Sequence, residues 1–92
     1  MKIIESEKFK LRLQIIAKRI KEDKPSAAIK FAKELKRTIV DLNNSPYKYR
    51  KSFYFDDEKI RDMTYKGYTI VYKIDTQNDR LIIADIFNQN KP

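Results

Sequence analysis

The sequence has no histidine, no cysteine and no tryptophan, and it has only one glycine in 92 residues. The absence of His and Cys excludes Ser-His and Cys-His nucleophile systems, a histidine general base, and zinc sites built from thiolate or imidazole. Without cysteine there is no disulfide, so no oxidising compartment is implied. One glycine is too few for a glycine-rich phosphate-binding loop. The sequence therefore excludes most enzyme classes and predicts neither a metal nor a cofactor.

Long apolar runs are also missing. None approaches the roughly 20 residues that a membrane-spanning helix needs, and the N-terminus has no signal-peptide pattern, so we expect a cytoplasmic protein. The composition, 41% apolar and 37% charged, is typical of a globular domain. Since 92 residues suffice for one ordinary domain but not two, we interpret residues 1–92 as a single domain.

Positive charge is in excess, and it is unevenly placed. The formal net charge is +8; residues 1–51 carry +9 and residues 52–92 carry −1. A basic N-terminal half favours a polyanionic or strongly acidic partner, which is either nucleic acid or an acidic protein segment. Charge alone does not decide between them.

Two amphipathic helices are predicted in the first half, after a short strand at residues 2–5. Ser6 is a suitable N-cap, and the apolar residues that follow recur at helical spacing. Pro25 fits the first position of a second helix, which ends before Pro46. The predicted buried residues are Phe9, Leu13, Ile16, Ala17 and Ile20 in the first helix, and Ala28, Phe31, Ala32, Leu35, Ile39 and Leu42 in the second.

Three short strands are predicted in the second half, at residues 59–65, 68–75 and 80–87. The last is apolar on both faces, which is typical of a central strand. The predicted fold is therefore α+β, with a helical hairpin packed on a small antiparallel sheet in the order β-α-α-β-β-β.

Aromatic and cationic residues alternate over residues 47–55, from Tyr47 to Phe55. Aromatic rings beside cations suit the stacked bases and phosphates of single-stranded nucleic acid. The alternative is that the rings seal the end of the sheet and the cations point to water.

A second candidate group consists of Lys59, Arg61 and Lys73 on neighbouring strands. Cations that project from a sheet can hold a phosphate and stabilise developing charge; the alternative is a solvated face. A ribonuclease would also need a base, for which Asp85, Tyr72 or a lysine would have to serve.

The third candidate lies on the first helix. Leu11 and Ile15 are four residues apart, yet at about 100° per residue they lie nearly opposite the buried stripe. Arg12 and Arg19 flank them, as do Lys8 and Lys18. Exposed apolar side chains among cations resemble a docking strip for a partner with acidic flanks, although single exposed apolar residues are common. We call Leu11, Arg12, Ile15 and Arg19 the docking strip.

The chain resembles the RelE/ParE superfamily of type II toxin–antitoxin toxins over nearly its whole length. The resemblance is carried by the order of the elements and by residues 45–50, 60–63, 67–74 and 83–89. Its most specific part is the Gly-Tyr-x-Ile-Val-Tyr strand, which follows a strand that contains arginine.

The resemblance implies one of two activities. RelE-like members cut messenger RNA on the ribosome, whereas ParE-like members poison DNA gyrase through protein contacts. Thr69 stands where RelE-like toxins commonly have arginine, and Asn88, Gln89 and Asn90 replace the His or Arg and following Tyr of ribonucleases. A ParE-like (plasmid stabilisation) toxin that inhibits growth is therefore favoured.

The resemblance also implies a cognate antitoxin, whose apolar positions we expect at Leu11 and Ile15 and whose acidic positions we expect at Arg12 and Arg19. Operator DNA would be reached only through the antitoxin. The residues expected to contact the target are Arg50, Lys51, Arg61, Asn88 and Gln89.

Two alternatives stay open. One is a RelE-like messenger RNA endonuclease in which Lys59 and Arg61 stabilise charge. The other is a degenerate, non-toxic module that only binds its antitoxin.

Overall fold

The computed structural model describes residues 1–88 and confirms the predicted α+β fold and order of elements. The elements are β1 (Lys2–Glu5), α1 (Glu7–Asp23), α2 (Pro25–Asp41), a 3-10 turn (Leu42–Asn44), β2 (Ile60–Tyr65), β3 (Tyr68–Asp75) and β4 (Arg80–Asn88). The predicted strand bounds agree to within one residue. Neither helix in this part of the chain is long and apolar enough to cross a membrane.

The four strands form one sheet in the order β1-β4-β3-β2, so β4 is central as predicted. The sheet, predicted as antiparallel, is mixed: β1 runs parallel to β4, with Ile3 opposite Leu81, while the other pairs are antiparallel. Four residues carry no pattern that tells the two directions apart. The direction of β1 follows from the path of the chain through both helices before it returns to the sheet.

Ser6 caps α1 and also attaches it to the sheet. Its hydroxyl oxygen accepts a hydrogen bond from the Phe9 amide at 3.0 Å and donates one to the Ala84 carbonyl at 2.7 Å. The cap satisfies a backbone donor that has no partner within the helix. Because the second bond reaches β4, the start of α1 is held beside the edge of that strand.

The helices pack their apolar faces on one face of the sheet, and Pro25 starts α2 as predicted. Phe9 and Ile16 of α1 are buried, and Leu13 and Ile20 are partly buried against the core. The buried residues of α2 and the following turn are Ala28, Phe31, Leu35, Ile39 and Leu42. The sheet contributes Met63, Ile70, Tyr72, Ile74, Leu81, Ile83 and Ile86 to the same core.

A two-residue turn joins β2 to β3 and sets their register. Lys66 and Gly67 both have positive φ, 46° and 84°, as a type I′ hairpin turn requires. Tyr65 and Tyr68 therefore lie directly opposite each other. Glycine at the second position adopts this backbone without the steric strain of a Cβ atom.

Residues 45–59, here called the connecting segment, contain neither helix nor strand but are tied to β2. The Ser52 amide donates to the Ile60 carbonyl at 2.8 Å, and the Asp62 amide donates to the Arg50 carbonyl at 3.2 Å. These bonds satisfy part of the outer edge of β2. The connecting segment is therefore an ordered flank of the sheet.

Candidate functional site

A groove of about 270 Å³ runs between α1 and the last part of β4. The groove exists because β1 pairs with β4 only as far as Ile83. Beyond that residue, α1 lies beside the last part of β4. We call it the α1–β4 groove. Its lining residues are Arg12, Ile15, Ile16, Arg19, Tyr68, Ile86, Phe87 and Asn88.

The structure brings three members of the docking strip into this groove. Arg12, Ile15 and Arg19 line it, and Leu11 lies one helical turn before Ile15 on the exposed side of α1. Leu11 and Ile15 are 58% and 57% exposed, so neither the connecting segment nor β1 covers them. Ile15 thus combines an exposed side chain with a place in the groove lining, and Leu11 is exposed on the same side of α1.

The two arginines of the docking strip differ in their electrostatic surroundings. Arg12 lies 3.2 Å from the Asp85 carboxylate, which Lys8 also approaches at 3.3 Å. Arg19 has no ion pair with any residue in the described part of the chain. An acidic partner would therefore find the charge of Arg12 partly neutralised and that of Arg19 available.

Sequence reasoning missed the opposite wall of the groove. Tyr68, Ile86 and Phe87 form that wall, but the alternation of their strands predicted only that they belong to a sheet. The order of the strands and the early end of β1 place these residues beside α1.

Three of the residues predicted to contact the target cluster at the outer edge of β2. Arg50, Lys51 and Arg61 lie together there. The backbones of Lys51 and Arg61 form an isolated antiparallel β-bridge, and the Arg50 side chain pairs with Asp62, the neighbour of Arg61. Asn88 lies apart from them, in the α1–β4 groove. Gln89 is outside the described residues.

Arg61 uses its guanidinium group within the molecule. Nε donates to the Glu58 carbonyl at 2.9 Å and Nη1 donates to the Tyr49 carbonyl at 3.1 Å. The group also lies 4.9 Å from the centre of the Tyr47 ring, and the side chain is mostly buried. Arg61 thus fastens the connecting segment to β2.

The lysines of this region are also engaged. Lys51 pairs with Asp56 at 2.9 Å; this hydrogen bond raises the pKa of Lys51 and lowers that of Asp56. Lys59 donates to the Thr76 hydroxyl at 3.1 Å and to the Tyr47 hydroxyl at 3.5 Å. Both side chains therefore have acceptors within the molecule.

The side chains considered as a ribonuclease base are engaged elsewhere. Tyr72 is fully buried and donates its hydroxyl proton to the Pro46 carbonyl at 2.6 Å. Burial raises its pKa to about 12, far from the value near neutrality that suits a general base. Asp85 is held by Lys8 and Arg12. Among residues 1–88, no group of three or more carboxylates is placed to hold a metal ion.

The two surfaces, the α1–β4 groove and the connecting segment, meet at one aromatic pair. The rings of Tyr54 and Phe87 pack edge to face, with centroids 5.2 Å apart and planes at 89°. Phe87 also lines the groove. The arrangement offers two adjacent surfaces for macromolecules, one apolar and basic, the other aromatic.

Comparison with known proteins gives one family and one fold. The family model described as "ParE toxin of type II toxin-antitoxin system, parDE" matches residues 3–91. A chain from the solved structure of a chromosomal ParDE TA system from P. aeruginosa superposes with a TM-score of 0.77 and 13% sequence identity, over 96% of this chain and 95% of that chain. No curated protein matches the sequence significantly. At this identity the structural likeness shows a shared fold.

Proposed function

Since the chain belongs to the ParE toxin family of type II toxin–antitoxin systems, we propose that it arrests growth by inhibiting DNA gyrase through protein contacts. The observation that carries this proposal is the family match, which spans residues 3–91. Gyrase works on chromosomal DNA, so the toxin would act in the cytoplasm.

The chemistry of the described residues supports binding over catalysis. A proton-transfer group typically contributes about 10²–10⁴-fold to a reaction rate, and the phenol of Tyr72 is buried with a raised pKa. The guanidinium of Arg61 holds the connecting segment. A RelE-like cleavage that depends on Lys59 and Arg61 would have to release both from their present contacts.

We further propose that a cognate antitoxin neutralises the toxin at the α1–β4 groove. Apolar antitoxin side chains would contact Leu11 and Ile15, and acidic ones would contact Arg12 and Arg19. An antitoxin tail that is disordered alone and folds on the groove would bury a long interface despite the cost of ordering it. Operator DNA would be reached only through that antitoxin.

The proposed contacts with the target are Arg50, Lys51, Arg61, Asn88 and Gln89. Arg50 and Lys51 are the more accessible cations of this set. Arg61 would act mainly by holding the connecting segment in place.

The test uses purified toxin in two assays, gyrase supercoiling and ribosome-dependent cleavage of messenger RNA. We expect supercoiling to be inhibited, the RNA to stay intact, and added antitoxin to restore supercoiling. RNA cleavage in a nuclease-free preparation would instead support the RelE-like endonuclease. A chain that does not inhibit supercoiling, cleave RNA or arrest growth would be a degenerate module that only binds its antitoxin.

A further inference from the structure

Every strongly exposed aromatic side chain within residues 1–88 lies in the connecting segment. Phe53 is 78% exposed, Phe55 51%, Tyr47 49% and Tyr54 43%. The other aromatic residues of this part of the chain are buried or half-buried. We call Phe53, Tyr54 and Phe55 the aromatic loop.

The aromatic loop is held in place by polar groups beneath it. The Phe53 amide donates to Asp62 Oδ2 at 3.1 Å, and the Tyr54 amide donates to the Ser52 hydroxyl at 3.1 Å. Asp62 and Ser52 are both buried, 1% and 5% exposed. Hydrogen bonds to buried acceptors are shielded from water, so this backbone is ordered before any partner arrives.

Cation–π and aromatic contacts hold two of the rings. The Arg50 guanidinium carbon lies 3.4 Å from the centre of the Phe53 ring, while its Nη1 is 3.6 Å from Asp62 Oδ2. Tyr54 packs edge to face on Phe87. Phe55 has no ring contact with the described residues. The loop thus presents the rings of Phe53 and Phe55 outward on a rigid base.

Burying these rings within the fold would stabilise it, yet they remain in water. Burial of a Phe side chain is among the larger apolar contributions to stability, and aromatic residues and arginine are enriched at the centres of protein interfaces. Because the loop is already ordered, the loop loses little conformational entropy when a partner covers it.

We propose that the aromatic loop is the main contact of the toxin with its target, and that it inserts into an apolar pocket of that protein. This inference rests on the proposed function, since it supplies the surface through which target inhibition would occur. It adds Phe53 and Phe55 to the proposed contact residues.

Charge pairing favours a protein over single-stranded nucleic acid as the occupant. Nucleic-acid binding needs cations that are free to neutralise phosphates. Around the loop, Lys51 is paired with Asp56, Arg61 with Glu58, and Arg50 with the buried Asp62. The rings therefore stand on a nearly neutral surface, which suits a protein pocket.

The experiment compares Phe53→Ser/Phe55→Ser with a matched control, Ile29→Ser/Val40→Ser. The control residues lie on α2 and are 61% and 58% exposed, so both pairs remove similar apolar area from the surface. Tyr54 is left unchanged because it packs on Phe87. Growth inhibition, antitoxin affinity, thermal unfolding and binding of a fluorescent single-stranded RNA are measured for each variant.

We expect the loop variant to need at least tenfold more protein for growth inhibition while its antitoxin affinity and unfolding temperature stay near wild type. The control should inhibit growth like wild type. Phe55→Ser alone is the stricter version, since it leaves the Arg50–Phe53 contact intact, and it should also weaken inhibition.

Full toxicity of the folded loop variant would overturn the inference. So would an equal loss in the control pair, a parallel loss of antitoxin affinity, or RNA binding by wild type that the loop variant loses. If wild type arrests growth without inhibiting gyrase and the loop variant does not arrest growth, the gyrase proposal fails and the loop inference stands. A non-toxic wild type would overturn both.

Discussion

Asp62 is the one fully buried carboxylate within residues 1–88, and one of its oxygens, Oδ1, has no hydrogen-bond partner. A buried carboxylate is destabilising unless it is paired. Here Oδ2 accepts the Phe53 amide and lies near Arg50. The buried Asp62 carboxylate thus supports the backbone of the aromatic loop.

Replacing Arg50 tests this arrangement. Arg50→Ala would leave the Asp62 carboxylate buried without a cation, and we expect the free energy of unfolding to fall by about 1–3 kcal/mol. Lys51→Ala, the control, removes an exposed ion pair and should change stability by no more than about 0.5 kcal/mol. Urea denaturation measures both. Equal stability of the two variants would contradict the structural role of Arg50.

Tyr72 offers a test that separates stability from catalysis. Tyr72→Phe removes the donor to the Pro46 carbonyl, and we expect it to lower the free energy of unfolding by about 1–2 kcal/mol. Growth inhibition per folded molecule should persist, because the phenol does not face solvent. A folded, stable Tyr72→Phe protein that no longer inhibits growth would favour the ribonuclease alternative.

At the scale of elements, α1 serves two purposes with its two faces. One face supplies Phe9 and Ile16 to the core, and the other exposes Leu11 and Ile15. The exposed face forms one wall of the α1–β4 groove, and β4 forms part of the other wall because the strand continues past the end of β1. A helix and a strand end therefore make a groove that neither element forms alone.

The docking strip is tested by introducing negative charge at its two apolar residues. Leu11→Glu/Ile15→Glu should weaken antitoxin binding at least tenfold, since two carboxylates would enter an apolar contact and oppose acidic antitoxin side chains. Ile29→Glu/Val40→Glu on α2 adds the same charge elsewhere and should leave affinity nearly unchanged. Calorimetric titration measures both pairs. Unchanged affinity in the α1 variant would remove the docking strip.

The turn between β3 and β4 makes stability depend on pH. Hydrogen bonds from Asn78 and Arg80 lower the pKa of Asp75 to about 2, whereas the pKa of an aspartate in the unfolded chain is about 3.9. The ionised carboxylate therefore stabilises the fold above about pH 4, and this contribution is lost as the pH falls from 4 to 2.

Asp75→Asn removes this contribution. We expect the variant to be less stable than wild type at pH 6, with a difference that shrinks below pH 4 and vanishes near pH 2. Denaturation midpoints over this range measure it. A difference that is equally large at pH 6 and pH 2 would show that packing rather than charge is responsible.

At the scale of the whole molecule, the net charge of +8 predicts how the protein meets an acidic antitoxin. Long-range attraction raises the association rate constant, and salt screens it. Raising ionic strength from about 0.05 to 0.5 M should lower the association rate constant about tenfold or more, with a smaller change in the dissociation rate constant. Stopped-flow fluorescence separates the two. A salt-independent association rate would mean that charge does not guide the encounter.

The fold was largely predictable because its signals are local. Ser6 caps a helix through an amide three residues away, Pro25 starts one, and Gly67 turns a hairpin. Strand periodicity placed the bounds of the strands to within one residue.

The candidate surfaces were predictable only in part. The docking strip on α1 follows from helical spacing, and three of its members do line the groove. The opposite wall of the groove and the burial of Asp62 involve residues distant in sequence. The sequence does not distinguish Arg61 from a cation that is free to bind a partner. Only the structure shows that its guanidinium group holds the connecting segment.

Taken alone, the order of residues determined the helices, the hairpin turn, the charge asymmetry and the absence of His and Cys chemistry. These depend on composition or on neighbours within about four positions along the chain. Only the tertiary structure decided that β1 runs parallel to β4, that the strand end and α1 enclose a groove, and that Asp62 supports the aromatic loop. Such contacts join residues far apart in sequence, and their geometry follows from how the helices and the sheet pack together.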